Sequence, residues 1–320
     1  MTGVQHPPPP GHRSPPSRKL LPAAGSGTPG RRPRRTGRAG SPARRPGSAA
    51  RRPNYLAGLG SLVWLVVVAL PLYVLVTATV QGRDAYFDRG PLSLPSEFTL
   101  DNYRRVLESD FFVYLGNTAL VTLASAALAV ALSVTVAYPV VRTRSRSSQR
   151  VFGLFLLGLA IPAQAVIIPV YLIITKLRLY DTLFGVILPT TAFTLPVCVL
   201  ILVGALRDID EELYESMALD GAGPVRILLQ LVLPLSRAGI STVGVYASLQ
   251  AWNGFLFPLI LTQSEGNRVL TLGLYDYVGQ FRVDVPALLA AVLLSIIPLF
   301  TVYLFARRQL INGLMGVGGR

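Results

Sequence analysis

Phosphate, metal and thiol chemistry each need residues that this chain nearly lacks. Lys19 and Lys176 are its two lysines, and neither stands in the Gly-x4-Gly-Lys-Ser/Thr setting that cradles nucleotide phosphates. His6 and His12 lie near the start, far from the single cysteine, Cys198, which sits inside a long apolar run. A metal cluster, a disulfide or a Cys-His nucleophile therefore cannot be assembled. Cys198 reads as a small packing residue, and the chain is expected to be no enzyme and to hold no cofactor. Two stretches remain whose spacing suits non-covalent work. One is "DIDEELYESMALDGAGPVRILLQLVLPLS", residues 208 to 236. The other is the set Tyr246, Ser248, Gln250, Trp252 and Asn253, a dense group of aromatic and hydrogen-bonding side chains inside an apolar run.

The first stretch spells out its own local structure. Asp208 and Asp210 are good N-cap residues, Glu211 stands three positions after Asp208 as in a capping box, and Glu212 adds charge to the positive end of the helix dipole. Leu213 and Met217 fall at i and i+4, with Tyr214 and Ala218 beside them. That predicts an apolar strip rimmed by Glu211, Glu212 and Glu215. Gly221, after Asp220, supplies a left-handed residue to end the helix. Pro224 suits the first turn of a second helix, and Leu233-Pro234 bends or ends it. A helix resting on a membrane surface would carry Lys and Arg on its polar face. This one carries acids, so docking into the groove of a soluble partner is the better reading.

The elements that must position both stretches are membrane helices. Of the 320 residues 51% are hydrophobic and only 14% charged, with a mean hydropathy of +0.50; soluble domains carry roughly 25% charged residues. Apolar segments at about 55–80, 112–141, 151–175, 183–206, 237–262 and 286–306 are each near or above the ~20 residues that cross a hydrocarbon core. Arg142, Arg144, Arg146 and Arg150 follow the second segment, and Arg307 and Arg308 follow the last. By the positive-inside tendency both places face the cytoplasm, and six crossings put both termini and the 207–236 loop there too.

The formal charge of +14 is concentrated in one place. Twelve of the 30 basic residues and none of the 16 acidic ones lie within residues 1–53, so the rest of the chain carries only +2. This Pro/Arg-rich arm has too little apolar surface to offset the entropy of ordering it. It is read as a disordered cytoplasmic arm drawn to anionic lipid headgroups, not to nucleic acid, because aromatics for base stacking are missing. The first apolar run starts near residue 55 and exceeds a signal-peptide core of about 7 to 15 residues, so no cleavage is expected. Three parts result: the arm 1–53, a membrane domain 54–306, and a tail 307–320 whose glycines argue against a stable helix from Asn312 to Gly319.

The pattern Glu215-Ser216-Met217, three residues, Gly221, nine residues, Leu231, one residue, Leu233-Pro234 resembles the E-A-A-x3-G-x9-I-x-L-P signature of ABC-importer permeases, departing from it at Ser216, Met217 and Leu231. The stretches "FTLDNYRRVL" (98–107), "IPAQAVIIPVYLIITKLRLYDTLFGVILP" (161–189), "AWNGFLFPLIL" (251–261) and "QLINGLMGVGGR" (309–320) are similar to the smaller permease of maltose-type sugar importers. The arm has no counterpart in that pattern.

The resemblance implies an all-α type I ABC-importer permease with six transmembrane helices. It also implies a second homologous permease, two cytoplasmic ATPase subunits, and an extracytoplasmic solute-binding protein that delivers a sugar. The 207–236 loop would then be the coupling helix in the ATPase cleft, and the long outer loop 262–286 would meet the binding protein. The tail would lie between the ATPases. From the residues alone, Tyr246, Ser248, Gln250, Trp252 and Asn253 suit either a path for a neutral, hydroxyl-rich solute or ordinary helix packing. Charged residues are nearly absent from the apolar segments, which weighs against an ion-coupled transporter and against a charged solute such as a polyamine or phosphate. A non-transporting membrane receptor is the remaining alternative, with a docking partner that is not an ATPase.

Overall fold

The computed structural model describes residues 55–95, 97–143, 145–279 and 283–315. The expectations for the arm 1–53, Arg144, Phe281 and residues 316–320 fall outside them. Among the described residues the chain is helical, with one isolated antiparallel bridge between Val278 and Val283. The helices in chain order are α1 Tyr55–Thr79, α2 Arg83–Arg89, α3 Asp101–Glu108, α4 Phe111–Arg142, α5 Arg146–Gly158, α6 Ile167–Lys176 and α7 Leu183–Arg207. They continue with α8 Glu211–Leu219, α9 Pro224–Ile227, α10 Leu233–Leu235, α11 Arg237–Trp252, α12 Leu256–Leu261, α13 Leu270–Gly273 and α14 Val285–Met315.

α4, α7 and α11 form the centre. Ala129, Ala137 and Val140 of α4 meet Cys198, Val199, Leu202, Val203 and Leu206 of α7 and Val243 and Ala247 of α11 in one buried cluster. Cys198 is fully buried in it, as its reading as a packing residue requires. Small residues let these helices approach closely: a Cβ on Gly239 of α11 would stand 2.4 Å from the Ala205 Cβ of α7. α1 is the opposite case. Its apolar side chains from Leu59 to Leu72 are exposed along the whole length, and its neighbour is α14.

Among the described residues three helices, α1, α4 and α7, are long and apolar enough to cross a membrane unaided. The third and fifth expected segments are not straight spans. α5 and the stretch Ala163–Lys176 meet at a bend of 96°. Pro162 explains the break, since it lacks an N–H and forces the residue before it out of helical geometry. The fifth segment, expected over 237–262, stops at Trp252 and resumes as the short α12. A second bend, of 77°, separates Pro224–Leu235 from α11. α14 also runs further than expected, through Asn312 to Met315. Leu314 and Met315 are good helix formers, and adding turns to an existing helix is far easier than nucleating one, which offsets Asn312 and Gly313.

Candidate coupling loop and polar face

The loop after α7 folds much as its residues dictate. Asp210 takes the N-cap position of α8, whereas Asp208 belongs to the end of α7, so the capping box expected from Asp208 to Glu211 does not form. Glu211 and Glu212 occupy the first turn, at the positive end of the dipole. At the other end Gly221 adopts φ +77°. The Gly221 N–H donates to the Ala218 carbonyl and the Ala222 N–H to the Met217 carbonyl, each at 3.0 Å, the paired bonds of a Schellman cap. Pro224 then opens α9 as expected. Residues Leu228–Val232 widen into a π turn ahead of Leu233-Pro234, where proline removes one i to i−4 bond. The 77° bend follows at Ser236, whose hydroxyl donates to the Val232 carbonyl.

The expected apolar strip divides between two faces. Tyr214 is 4% exposed and belongs, with Ile227 and Val232, to the same buried cluster as α4, α7 and α11; Met217 packs against it. The Arg142 guanidinium lies over the Tyr214 ring, 5.5 Å from its centre. Burial pushes the Tyr214 phenol above its usual pKa, Tyr138 nearby adds to the rise, and Arg142 opposes it. The Tyr214 hydroxyl is buried with no hydrogen-bond partner among the described residues. Facing outward instead are Glu211, Glu212, Leu213, Glu215, Ala218, Leu219 and Asp220. Leu219, at 89% exposure, was not marked out by the i, i+4 pattern. The outward surface is thus Leu213 and Leu219 among carboxylates, and Tyr214 and Met217 are its mooring.

The second candidate set also separates. α11 buries Val243, Ala247 and Ala251 against its neighbours. Tyr246, Gln250 and Asn253 recur at i, i+4 and i+7 and share one side of the helix. Tyr246 is half-buried there, while Gln250 and Asn253 are exposed. The Asn253 side-chain amide donates to the Leu249 carbonyl. Ser248 and Trp252 lie on another side, and Trp252 packs on the cluster of Val106, Phe111, Tyr114, Leu270, Ala290 and Ala291. Three of the five residues come together, and two do not.

The loop 262–286 is tied down by a residue that pattern reading passed over. Between α6 and α7, Arg178 and Asp181 adopt left-handed φ of 58° and 57°. The Asp181 carboxylate accepts from the Gln263 N–H at 2.9 Å and from the Ser264 N–H and hydroxyl at 3.0 Å, and Asn267 donates to the Asp181 carbonyl. The Gln263 bond above all holds the Asp181 pKa below its usual value; burial pushes the other way, and the bonds from Ser264 and Asn267 add to the lowering. Asn117 of α4 donates to the carbonyls of Gly266 and Arg268, and Arg268 pairs with Asp276 at 2.9 Å. An aspartate between an Arg-Leu-Tyr run and a Thr N-cap carried no pattern that would have selected it.

Residues 129–312 match the family model described as "Binding-protein-dependent transport system inner membrane component". The chain is 32% identical over 253 residues to an ABC transporter permease protein, ORF2, of Caldicellulosiruptor sp. (strain Rt8B.4), covering 79% of this chain and 92% of that one. It is 29% identical to the trehalose transport system permease protein SugB of Mycobacterium tuberculosis (83% and 97% covered). To the diacetylchitobiose uptake system permease protein NgcG of Streptomyces coelicolor it is 27% identical (78% and 83%). Among solved structures, a chain of a bacterial ABC transporter involved in the import of the acidic polysaccharide alginate superposes with a TM-score of 0.69, covering 80% of this chain and 97% of that one at 21% identity. That likeness concerns the fold.

Proposed function

Because the chain belongs to the family of binding-protein-dependent inner-membrane transport components, we propose that it forms one half of the translocation path of an ATP-driven carbohydrate importer. The observation that carries this reading is the 207–236 loop. It keeps the spacing of the permease signature, ends on a left-handed Gly221, and turns Leu213, Leu219 and carboxylates outward while Tyr214 fixes its back to the core. An apolar knob with an acidic rim suits an apolar cleft with a basic rim, here that of a cytoplasmic ATPase. Trehalose and diacetylchitobiose in the names of relatives support a sugar as the solute.

In this mechanism the chain makes and breaks no bond. Closure of two ATPase subunits on ATP carries α8 with it. Because α8 is moored through Tyr214 to the cluster shared by α4, α7 and α11, its displacement moves those helices as a body. Rocking of this permease against a second, homologous one opens the path outward, where an extracytoplasmic binding protein releases its sugar. The Tyr246, Gln250 and Asn253 side of α11 faces that path and offers a ring face and amide groups to hydroxyls.

The test is transport of radiolabelled sugars into vesicles, with ATP hydrolysis measured in parallel, for the unaltered assembly and for Glu215→Ala. The expected outcome is normal membrane insertion with less sugar moved per ATP hydrolysed. Unchanged uptake and hydrolysis in the variant would refute the loop's assignment.

A further inference from the structure

A cavity of about 550 Å³ opens at the root of the coupling loop, with polar walls from Arg142, Gln149, Arg207, Glu211 and Tyr214 and apolar walls from α4 and Ile209. We infer that it is a binding site for a phosphate-bearing anion, supplied in the membrane by the headgroup of an anionic phospholipid. The volume lies in the range of small-molecule sites, ~300 to 1,000 Å³. The two guanidiniums are its distinguishing feature. Arg142 lies over the Tyr214 ring at 5.5 Å and Arg207 over the Phe152 ring at 5.9 Å, and neither makes an ion pair with a described residue. A ring attracts the charge without supplying an oxygen acceptor, so neither contact satisfies the guanidinium N–H groups that bind phosphate oxygens. Gln149 uses one amide N–H on the Val140 carbonyl at 3.1 Å and keeps another. Glu211 sets one carboxylate against the two cations, which leaves the described wall at +1.

The position selects the source of the phosphate. Arg142 and Arg207 are the last residues of α4 and α7, two of the three helices long and apolar enough to span the membrane unaided. Where such helices leave the hydrocarbon, lipid phosphates lie at the same level, and basic pockets between helix ends bind anionic headgroups. Glu211 and Tyr214 belong to α8, so an occupant would brace the coupling helix against α4 and α7. That last consequence rests on the proposed function; the binding itself does not.

The test uses the full-length chain with its co-purifying subunits in detergent, titrated with phosphatidylglycerol, phosphatidylcholine or glycerol 3-phosphate and followed by native mass spectrometry. Phosphatidylglycerol should bind more tightly than phosphatidylcholine. The double substitution Arg142→Gln/Arg207→Gln should weaken it about thirtyfold, taking roughly 1 kcal/mol per arginine near a lipid surface. Arg146→Gln/Arg150→Gln, which removes the same charge from outside the cavity, should change binding by no more than about threefold. Arg142→Lys/Arg207→Lys keeps the charge without the planar fork and should fall between the two, which separates loss of the site from loss of the fold. Binding of glycerol 3-phosphate with the same arginine dependence would support the oxyanion site with a soluble ligand in place of a lipid. Equal binding of phosphatidylglycerol by all variants, or no binding of any phosphate compound, would overturn the inference without bearing on whether the chain carries a sugar.

Discussion

The loop 207–236 and the helix α11 adjoin each other in sequence, yet they differ in how they are specified. The backbone of the loop has local causes: the N-cap at Asp210, the acids in the first turn, the reversal at Gly221 and the proline-widened helix before Ser236. Its outward surface is complete on this chain alone. α11 carries a polar stripe whose meaning depends on what stands opposite. Tyr246, Gln250 and Asn253 share a side that is half-buried to exposed, while Ser248 and Trp252 turn elsewhere. A docking element can be built from short-range rules. A pathway of the kind proposed for the α11 stripe cannot, because half of its wall would belong to another chain.

The sharpest way to break this contrast is Gly221→Pro. Proline holds φ near −65° and has no N–H, whereas Gly221 sits at +77° and donates to the Ala218 carbonyl. Sugar uptake into vesicles should fall to background, with the chain still in the membrane; Gly221→Asn, which tolerates the left-handed region, should keep most of it. Next in size is Tyr214→Ala. Truncating a buried aromatic costs about 3 to 5 kcal/mol and should lower the yield of assembled complex and its melting temperature. Tyr214→Phe should do neither, because it deletes a buried hydroxyl that has no partner among the described residues. A loss in the phenylalanine variant would mean that a partner chain supplies the missing hydrogen bond.

How much of this was legible in advance follows the range of the interactions involved. Gly221, Pro224 and Leu233-Pro234 announced a turn, a helix start and a bend because backbone stereochemistry is decided within a few residues. The same kind of rule misassigned Asp208: two aspartates compete for one cap, and α7 simply ran on to Arg207. Tyr214 and Met217 were grouped with Leu213 because helical periodicity says which residues share a face, not which face meets the core. That choice was made by Ile227 and Val232, about ten or more residues further on. Pro162 was visible as a helix breaker, but an apolar run long enough to cross the membrane masked it. Asp181 could not have been found at all, since its partners lie 82 to 86 positions away.

Smaller effects sharpen the reading of α11. If its exposed stripe faces the path, Gln250→Leu should reduce sugar uptake by about five- to tenfold, the value of one hydrogen bond lost from a recognising site. ATP hydrolysis should become partly uncoupled in the same variant. Ser248→Ala, on another side of the helix, should leave uptake within about twofold. Equal effects of the two substitutions would assign the stripe to packing.

The smallest expected effect lies at the opposite edge of the contrast, in the clasp that Asp181 makes with loop 262–286. The Asp181 carboxyl is held below its ordinary value of 3.8, first by the Gln263 N–H. Its contribution to stability is therefore present in full above that value and is lost as the pH falls through the lower, folded-state pKa. At neutral pH the Gln263 and Ser264 amides should resist hydrogen exchange. In Asp181→Asn the same amides should exchange faster with no change in the α4 and α7 amides, because a neutral amide oxygen accepts less strongly than a carboxylate. Equal protection in the variant would mean that Asn117 and Asn267 hold the loop without the aspartate's charge, leaving loop 262–286, unlike α8, with no single mooring residue.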